Sequence, residues 1–250
     1  MQPSYLRNSR ALVDILLPLD LPPGARLFIS DATSMYTNIH TPAALTEISR
    51  FIHQREDHFP DIPTDALTEA LAIVMQNNIF QFGDTFWHQL TGAAMGTPPA
   101  CNYANLFFAC HEYRVIPKFR SNLLLYKRYI DDIIGIWIPS PTDTTTEDNI
   151  RWEEFKAEIT GFHGLEWIFS DRVNTVNYLD LTITITDSKI HTTLFEKELN
   201  LYLYIPQHFE YRYIRMEKTM RTIITESTFA LFRAITNEEL SLNKCSKFKT

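Results

Sequence analysis

The chain has 250 residues, 45% hydrophobic and 21% charged, which is ordinary for a soluble globular protein and excludes a disordered or fibrous chain. Its three cysteines (Cys101, Cys110 and Cys245) lack the CxxC spacing of a structural zinc site, so we expect reduced thiols in an intracellular compartment. The formal net charge of −7 is unevenly spread, because residues 212–250 hold eight lysines and arginines against four acidic residues. A basic tail after an acidic body suits a metal-binding core beside a phosphate-binding segment, although a charge run is more often a solvated face.

The sequence predicts no membrane segment. Residues 1–10 have no apolar core of a signal peptide. Residues 90–110 lack charge and contain a GxxxG pattern, but two prolines and several small polar residues make them poor material for a spanning helix. We therefore expect an intracellular, nuclear protein with no membrane partner, and its oligomeric state stays open.

The first half of the chain predicts a buried strand, two helices and a hairpin. The strand follows a Pro-Pro-Gly break, the first helix begins with Thr41 as N-cap before a proline, and the second helix opens on a proline. The hairpin turns on Gly83-Asp84. In chain order the predicted ranges are a strand over 26–31, helices over 41–57 and 63–78, and a hairpin over 79–91.

The second half predicts a helix that begins at Thr97, an acidic hairpin, and a second antiparallel pair of strands turning on Asp187-Ser188. Strict alternation of apolar and threonine residues makes the first strand of that pair half-buried. The pattern is α+β, an antiparallel sheet backed by helices. The predicted ranges are a hairpin over 123–138, a flexible polar loop over 139–149, a helix over 150–160, strands over 165–170, 179–186 and 189–196, and a helix over 226–236.

Two adjacent carboxylates, Asp131 and Asp132, lie inside one of the most apolar stretches, LLLYKRYIDDIIGIWI. Crowding two like charges there is costly unless a positive group compensates, and a hairpin selected for folding alone would turn on Asn-Gly or Asp-Gly. One interpretation is a divalent cation site at the hairpin tip. The other is an acidic turn that is simply solvated, which is the commoner case for an isolated Asp-Asp.

Three elements occur in order along the chain: Asp31 at the end of a buried strand, a glycine-rich entry to a helix, and the acidic hairpin. With them the chain resembles the reverse transcriptases, most closely those of Penelope-like retroelements, which are relatives of telomerase. The matching blocks cover roughly residues 4–205. They are SYLRNS, LFISDATSMYTNI, TGAAMGTPPACNYANLFF, YKRYIDDIIGIW and VNYLDLTI.

The resemblance implies a right-hand polymerase palm. Such a palm extends a DNA primer with deoxynucleoside triphosphates (dNTPs) on an RNA template. Nucleotidyl transfer is served by two cations roughly 3.5–4 Å apart, and Mg²⁺ prefers carboxylate and phosphate oxygens. We expect two Mg²⁺ ions, with Mn²⁺ as a substitute, held by Asp31 and Asp131, with Asp132 as the outer or supporting carboxylate. Each aspartate taken alone is more often a solvated or capping residue.

The nucleotide would lie beside residues that follow Asp31 and enter the glycine block. Backbone N–H groups from Ala32 to Met35, with Ala32 and Thr33 as the named residues, would cradle the triphosphate. By resemblance, Tyr36 would lie under the sugar and exclude a 2′-hydroxyl, whereas an isolated tyrosine is more often a core aromatic. The glycine block, with Met95 and Gly96, would approach a base pair closely. Many reverse transcriptases have glutamine where this chain has Met95, and Penelope-like sequences share the methionine.

Two further segments have open interpretations. Lys127 and Arg128, just before the acidic hairpin, would contact primer or triphosphate or would be simple surface residues. Residues 178–183 resemble the primer grip of the family, with Asp180 where many relatives have glycine, or they are simply a good sheet strand.

We expect residues 1–205 to form the palm with residual fingers, and residues 206–250 a partial thumb or a divergent basic tail. Most of the fingers would be missing, as in a palm cut from a longer transposable element or in a decayed copy. Three alternatives stay open: a non-catalytic palm remnant that at most binds nucleic acid, an RNA-synthesising polymerase palm, and an unrelated α+β domain. The last alternative would be favoured if the chain bound no Mg²⁺ or Mn²⁺ and Asp31 lay far from Asp131.

Overall fold

The computed structural model describes residues 4–58, 60–61, 63–95 and 97–195. Six α-helices and nine strands occur within them, together with short 3-10 helices at Glu56–His58 and Ile116–Phe119. The helices are α1 (Ser9–Leu16), α2 (Met35–Asn38), α3 (Thr41–His53), α4 (Thr64–Gln76), α5 (Ala100–Val115) and α6 (Thr145–Thr160). The strands are β1 (Arg26–Ala32), β2 (Ile79–Phe82), β3 (Thr85–His88), β4 (Leu123–Tyr129), β5 (Asp132–Trp137), β6 (Trp167–Phe169), β7 (Thr175–Tyr178), β8 (Leu181–Thr186) and β9 (Lys189–Leu194).

The strands form three antiparallel sheets. The central sheet has the order β4-β5-β1-β6, so the first buried strand lies directly beside the acidic hairpin. Strands β7, β8 and β9 form a second sheet, and β2 and β3 form a two-stranded ribbon. This mixed architecture of helices and antiparallel sheet confirms the predicted α+β class.

The central sheet is apolar on both faces because it is covered on both sides. On one face Phe28, Ile133 and Trp137 are buried in a cluster with α3, α5 and α6. Aromatic contacts stabilise the packing on this face, such as the edge-to-face pair of Phe28 and Trp152 with ring centroids 4.9 Å apart. On the other face neighbouring strand residues pack against α1 and the second sheet. Continuous apolar runs in β1 and β5 are therefore expected for strands buried on both faces.

Most predicted elements are confirmed, but Thr41 is the first residue of α3 rather than its N-cap, and α5 begins at Ala100 rather than at Thr97. Two further predictions need larger corrections. The loop predicted over 139–149 is too long, because α6 begins at Thr145, where Thr144 and Glu147 form a capping box. Residues 178–183 are not one strand, because the chain turns between β7 and β8 with Leu179 at a positive φ of 53°. The Thr-x-x-Glu pattern of the capping box is present in the sequence. No sequence pattern indicates that Leu179 lies in a turn.

Within the described residues, no helix is long and apolar enough to cross a membrane. Several predictions lie outside the described residues and stay predictions. They are the role of Gly96, the state of Cys245, the helix over 226–236, and the assignment of 206–250 as a partial thumb or basic tail.

Candidate catalytic site

The register of the central sheet brings the three predicted carboxylates to one edge. Asp31 on β1 is the direct antiparallel partner of Asp132 on β5. The neighbouring Asp131 is tied to the same strand, since its carbonyl accepts the N–H of Ala32 at 2.9 Å. Facing residues of an antiparallel pair have Cα atoms about 4.5–5.5 Å apart, so Asp31 and Asp132, 101 positions apart in sequence, are neighbours in space. The short distance between Asp31 and Asp131 therefore does not favour an unrelated α+β domain.

The hairpin that carries Asp131 has a strained turn. Tyr129 pairs with Asp132, which leaves only Ile130 and Asp131 to connect β4 to β5. Ile130 has a φ of 55°, a left-handed conformation that a β-branched residue rarely adopts. Such a residue costs on the order of 1–3 kcal/mol and persists only where its surroundings hold it. A turn selected for folding alone would have glycine or asparagine here, so the strained turn agrees with the prediction of a site at this hairpin.

The three carboxylates at this end of β1 and β5 repel one another. Burial and the charge of Asp131 raise the pKa of the Asp31 carboxyl, and a hydrogen bond with Asp132 partly offsets that rise. Asp31 is exposed, while Asp131 and Asp132 are half-buried. A bound cation would reduce the electrostatic repulsion among these three carboxylates, which are open to solvent.

The donor set suits Mg²⁺ in an open site. Within the described residues, no group of three or more His, Cys, Asp or Glu side chains is placed so that it could hold a metal ion, and Asp31, Asp131 and Asp132 do not form such a group. Mg²⁺ seldom uses complete cages of protein side chains in enzymes that act on phosphates, because it keeps several waters and takes one or two carboxylates together with substrate phosphate oxygens. Carboxylates from Asp31 and Asp131 are donors of that kind. The assignment of Asp31, Asp131 and Asp132 as metal ligands stays a prediction.

The expected backbone cradle for a triphosphate is wrong at two residues. The N–H of Ala32 donates to Asp131, and the N–H of Thr33 donates to the carbonyl of Glu166 at 2.9 Å. Both amides are thus engaged in binding neighbouring segments to the end of β1. Their engagement fixes the edge that carries Asp31 and leaves neither amide for a phosphate.

Tyr36 lies beside the carboxylates. It is half-buried on α2, and its hydroxyl pKa is raised to about 12, first by burial and then by a hydrogen bond with the Cys101 thiol. The charge of Asp131 and the neighbouring Tyr129 contribute to the same rise. A neutral phenol held beside Asp131 is in the region where the resemblance places a sugar-excluding residue.

The glycine block contacts the segment that carries Tyr36, so Gly92 has a structural reason to be glycine. The N–H of Gly92 donates to Ile39, and the N–H of Ala93 donates to the Tyr36 carbonyl at 2.6 Å. A Cβ on Gly92 would lie 2.7 Å from that carbonyl oxygen. Met95, three residues on, is 75% exposed. Gly92 therefore seats the turn that carries Tyr36, and Met95 presents its side chain to solvent.

Substitution of Gly92 by alanine is expected to destabilise the protein more than the same change at Gly164. Both glycines have a φ near 80°, but a Cβ at Gly164 meets nothing within 4 Å. Left-handed strain costs roughly 1–2 kcal/mol at either position, and Gly92→Ala adds a clash with the Tyr36 carbonyl. Urea unfolding of both variants measures the difference. Equal losses of unfolding free energy would show that the close contact is unimportant.

Arg128 contradicts both interpretations made from the sequence. Its side chain is 1% exposed, so it is neither a surface residue nor placed to contact substrate. It lies against Glu112 of α5, with a 2.7 Å bond from Nε to Oε1. Lys127 is half-buried, and burial lowers its pKa. Tyr178, the first residue of the segment that resembles a primer grip, donates its hydroxyl to the carbonyl of Asp132 at 2.9 Å.

The spacing of polar residues along α5 could have indicated the buried partners of Arg128. Cys101, Asn105 and Glu112 follow one another at intervals of four and seven, which places them on one face of a helix. Two polar groups in a helix that is otherwise packed on a sheet require partners. The hairpin that faces α5 supplies Arg128 as that partner.

The structure is similar to solved polymerases. It matches truncated apo telomerase from Candida tropicalis with a TM-score of 0.54 and 11% identity, over 76% of this chain and 41% of that one. It matches telomerase from Candida albicans, in complex with a fragment of telomeric RNA, with a TM-score of 0.57 and 10% identity, over 78% and 36%. It also matches the RNA polymerase complex of a dsRNA virus with a TM-score of 0.52 and 12% identity, over 74% and 18%.

This chain spans less than half of the length of each of these proteins. No protein-family model matches the sequence, and no curated protein matches it significantly. At such low identity the likeness identifies the fold alone. The described part of the chain has the palm-like fold of nucleic-acid polymerases, with helices packed on an antiparallel sheet.

Proposed function

We propose that this chain is the RNA-directed DNA polymerase domain of a Penelope-like retroelement. One observation carries the proposal: Asp31 and Asp132 face each other across neighbouring strands, and Asp131 is bonded to the same edge. The palm-like fold and the sequence blocks around these residues support it. RNA template, DNA primer and dNTPs are the partners that this activity requires.

In this proposal Asp31 and Asp131 hold two Mg²⁺ ions, or Mn²⁺ in their place, and Asp132 supports them from the adjoining position. When bound, the ions activate the primer 3′-oxygen and offset charge on the leaving pyrophosphate. The chain's residues position the reactants. Tyr36 limits the space at the sugar, and Tyr178 fixes the backbone of Asp132.

Primer extension tests the proposal. The full chain is incubated with an RNA template, a labelled DNA primer, dNTPs and Mg²⁺, with EDTA and Asp131→Asn as controls. Extension that needs Mg²⁺ and Asp131 is the expected result. Extension by Asp131→Asn equal to that of the wild type would contradict the assigned site, and a folded wild type without extension would favour the non-catalytic palm remnant.

An RNA-synthesising polymerase is the second candidate, favoured by the likeness to the viral RNA polymerase. Tyr36 separates the two. Tyr36→Ala is expected to raise ribonucleotide use relative to deoxynucleotide use by about tenfold or more, because it removes the ring that would exclude a 2′-hydroxyl. Tyr36→Phe keeps the ring and is the matched control. Single-nucleotide incorporation rates measure the ratio, and a wild type that prefers ribonucleotides would favour RNA synthesis.

A further inference from the structure

Arg128 uses all of its hydrogen-bond donors within the protein. Its Nε and Nη2 bind the two carboxylate oxygens of Glu112 at 2.7 and 3.0 Å. Its Nη1 binds the Asn105 side-chain oxygen at 2.9 Å and the Ile130 carbonyl at 2.7 Å, and Nη2 also binds the Asn105 carbonyl at 3.0 Å. A guanidinium has five N–H donors, so none remains for a substrate. The residue therefore acts through the groups that it binds.

The first group is the strained turn. Ile130 has a left-handed φ of 55°, and its carbonyl is held by Arg128. Asp131 follows directly, and its own carbonyl is bonded to Ala32. The turn is thus fixed from both sides, by Arg128 before Asp131 and by β1 after it.

The second group is the neighbourhood of Tyr36. Asn105, whose side-chain oxygen accepts from Arg128, donates through Nδ2 to the Cys101 sulfur at 3.7 Å. Cys101 in turn lies close enough to the Tyr36 hydroxyl to contribute to its raised pKa. A continuous chain of contacts therefore runs from the guanidinium to the proposed sugar-excluding ring. Glu112, bound by Ser4 and Tyr126 as well, anchors the other end.

We propose that Arg128 is a positioning residue that fixes two parts of the candidate site at once: the Asp131 turn through Ile130, and the Tyr36 ring through Asn105 and Cys101. The inference rests on the proposed function. It predicts that nucleotide selection at Tyr36 and metal binding at Asp131 respond together to one buried side chain. Lysine cannot replace Arg128 here, because a single ammonium group lacks the planar fork that reaches three partners.

The test compares Arg128→Lys, Asn105→Ala and the wild type in the full chain. Asn102→Ala is the matched control, since Asn102 is exposed on the same helix beside Cys101. One readout is the rate at which iodoacetamide alkylates the exposed Cys101 in the native protein, followed by peptide mass spectrometry. The other is Mn²⁺ binding followed by electron paramagnetic resonance. Urea unfolding establishes that each variant is folded.

Arg128→Lys and Asn105→Ala are both expected to speed alkylation of Cys101 by about threefold or more, since each removes support worth roughly one hydrogen bond. Only Arg128→Lys is expected to weaken Mn²⁺ binding, because Asn105→Ala leaves the Ile130 bond intact. Asn102→Ala is expected to change neither. The double variant Arg128→Met/Glu112→Leu removes both buried charges and serves if Arg128→Lys does not fold.

The outcomes separate this inference from the proposed function. Folded Arg128 and Asn105 variants whose alkylation rates equal that of Asn102→Ala would overturn the link to Tyr36. Unchanged Mn²⁺ binding in a folded Arg128 variant would overturn the link to Asp131. A wild type that binds no Mn²⁺ and extends no primer would instead contradict the polymerase assignment, and with it the metal part of the inference.

Discussion

Asp31→Asn is expected to abolish primer extension and to leave the fold at least as stable as the wild type. Loss of one charge at the candidate metal site should lower the extension rate by on the order of 10²–10³-fold or more. The stability effect follows from the pKa of Asp31, which burial and Asp131 raise above its ordinary value of 3.8. A carboxyl with a raised pKa in the folded state destabilises the fold when it is ionised. Asparagine removes that repulsion and can keep a hydrogen bond with Asp132.

The pH dependence has a definite sign. The stabilisation that protonated Asp31 provides is fully present below the pKa of Asp31 in the unfolded chain. It is lost as the pH rises through the higher pKa of Asp31 in the folded protein. The variant should therefore exceed the wild type in unfolding free energy at neutral pH, and the difference should vanish below about pH 3.8. Mg²⁺ should stabilise the wild type by mass action and leave Asp31→Asn unchanged. Urea unfolding with and without Mg²⁺ measures each of these effects.

Asp187→Asn is the matched control for this prediction. Asp187 lies in the turn between β8 and β9, in a different sheet, at a positive φ of 51° that asparagine tolerates. It makes the same chemical change away from the candidate site. If Asp31→Asn extended primers as well as Asp187→Asn does, Asp31 would have no part in catalysis.

The sequence predicts the elements that carry the acidic residues but not the network that holds them. Alternation and apolar runs indicate β1, β5 and β8, since side-chain period and burial are local properties of the chain. The pairing of Asp31 with Asp132 needs the strand order, which the resemblance supplies and local patterns do not. The engagement of the Ala32 and Thr33 amides was not predicted, because backbone partners depend on tertiary contacts.

Arg128 shows most clearly why local patterns are insufficient. An arginine beside a lysine at the end of an amphipathic strand is typical of a surface, and only α5 packed against β4 makes the position buried. Its ion pair with Glu112 lies where both side chains are 1% and 3% exposed. Such a pair forms only when distant segments fold together. From α5 alone, Glu112 could be predicted only as a buried acceptor that requires a hydrogen-bond donor from elsewhere in the chain.

Glu112→Gln is expected to lower the free energy of unfolding by about 3–5 kcal/mol, because it leaves the buried Arg128 charge without a carboxylate. Urea unfolding measures the loss. Glu158→Gln is the matched control: Glu158 pairs with Lys118 where both side chains are 42% or more exposed, so its loss should be about 1 kcal/mol or less. Arg128→Met/Glu112→Leu should be more stable than Glu112→Gln, since it removes both charges.

The double variant separates stability from positioning. A buried ion pair is often replaceable by apolar residues without loss of stability, so this pair need not be retained for folding alone. If the double variant is as stable as the wild type yet binds Mn²⁺ more weakly and its Cys101 is alkylated faster, the role of Arg128 is to hold the turn and the Tyr36 neighbourhood. If it is stable and keeps both properties, the Ile130 conformation is maintained by β1 and β5 alone. A loss in Glu112→Gln no greater than that in Glu158→Gln would show that water reaches the buried charge.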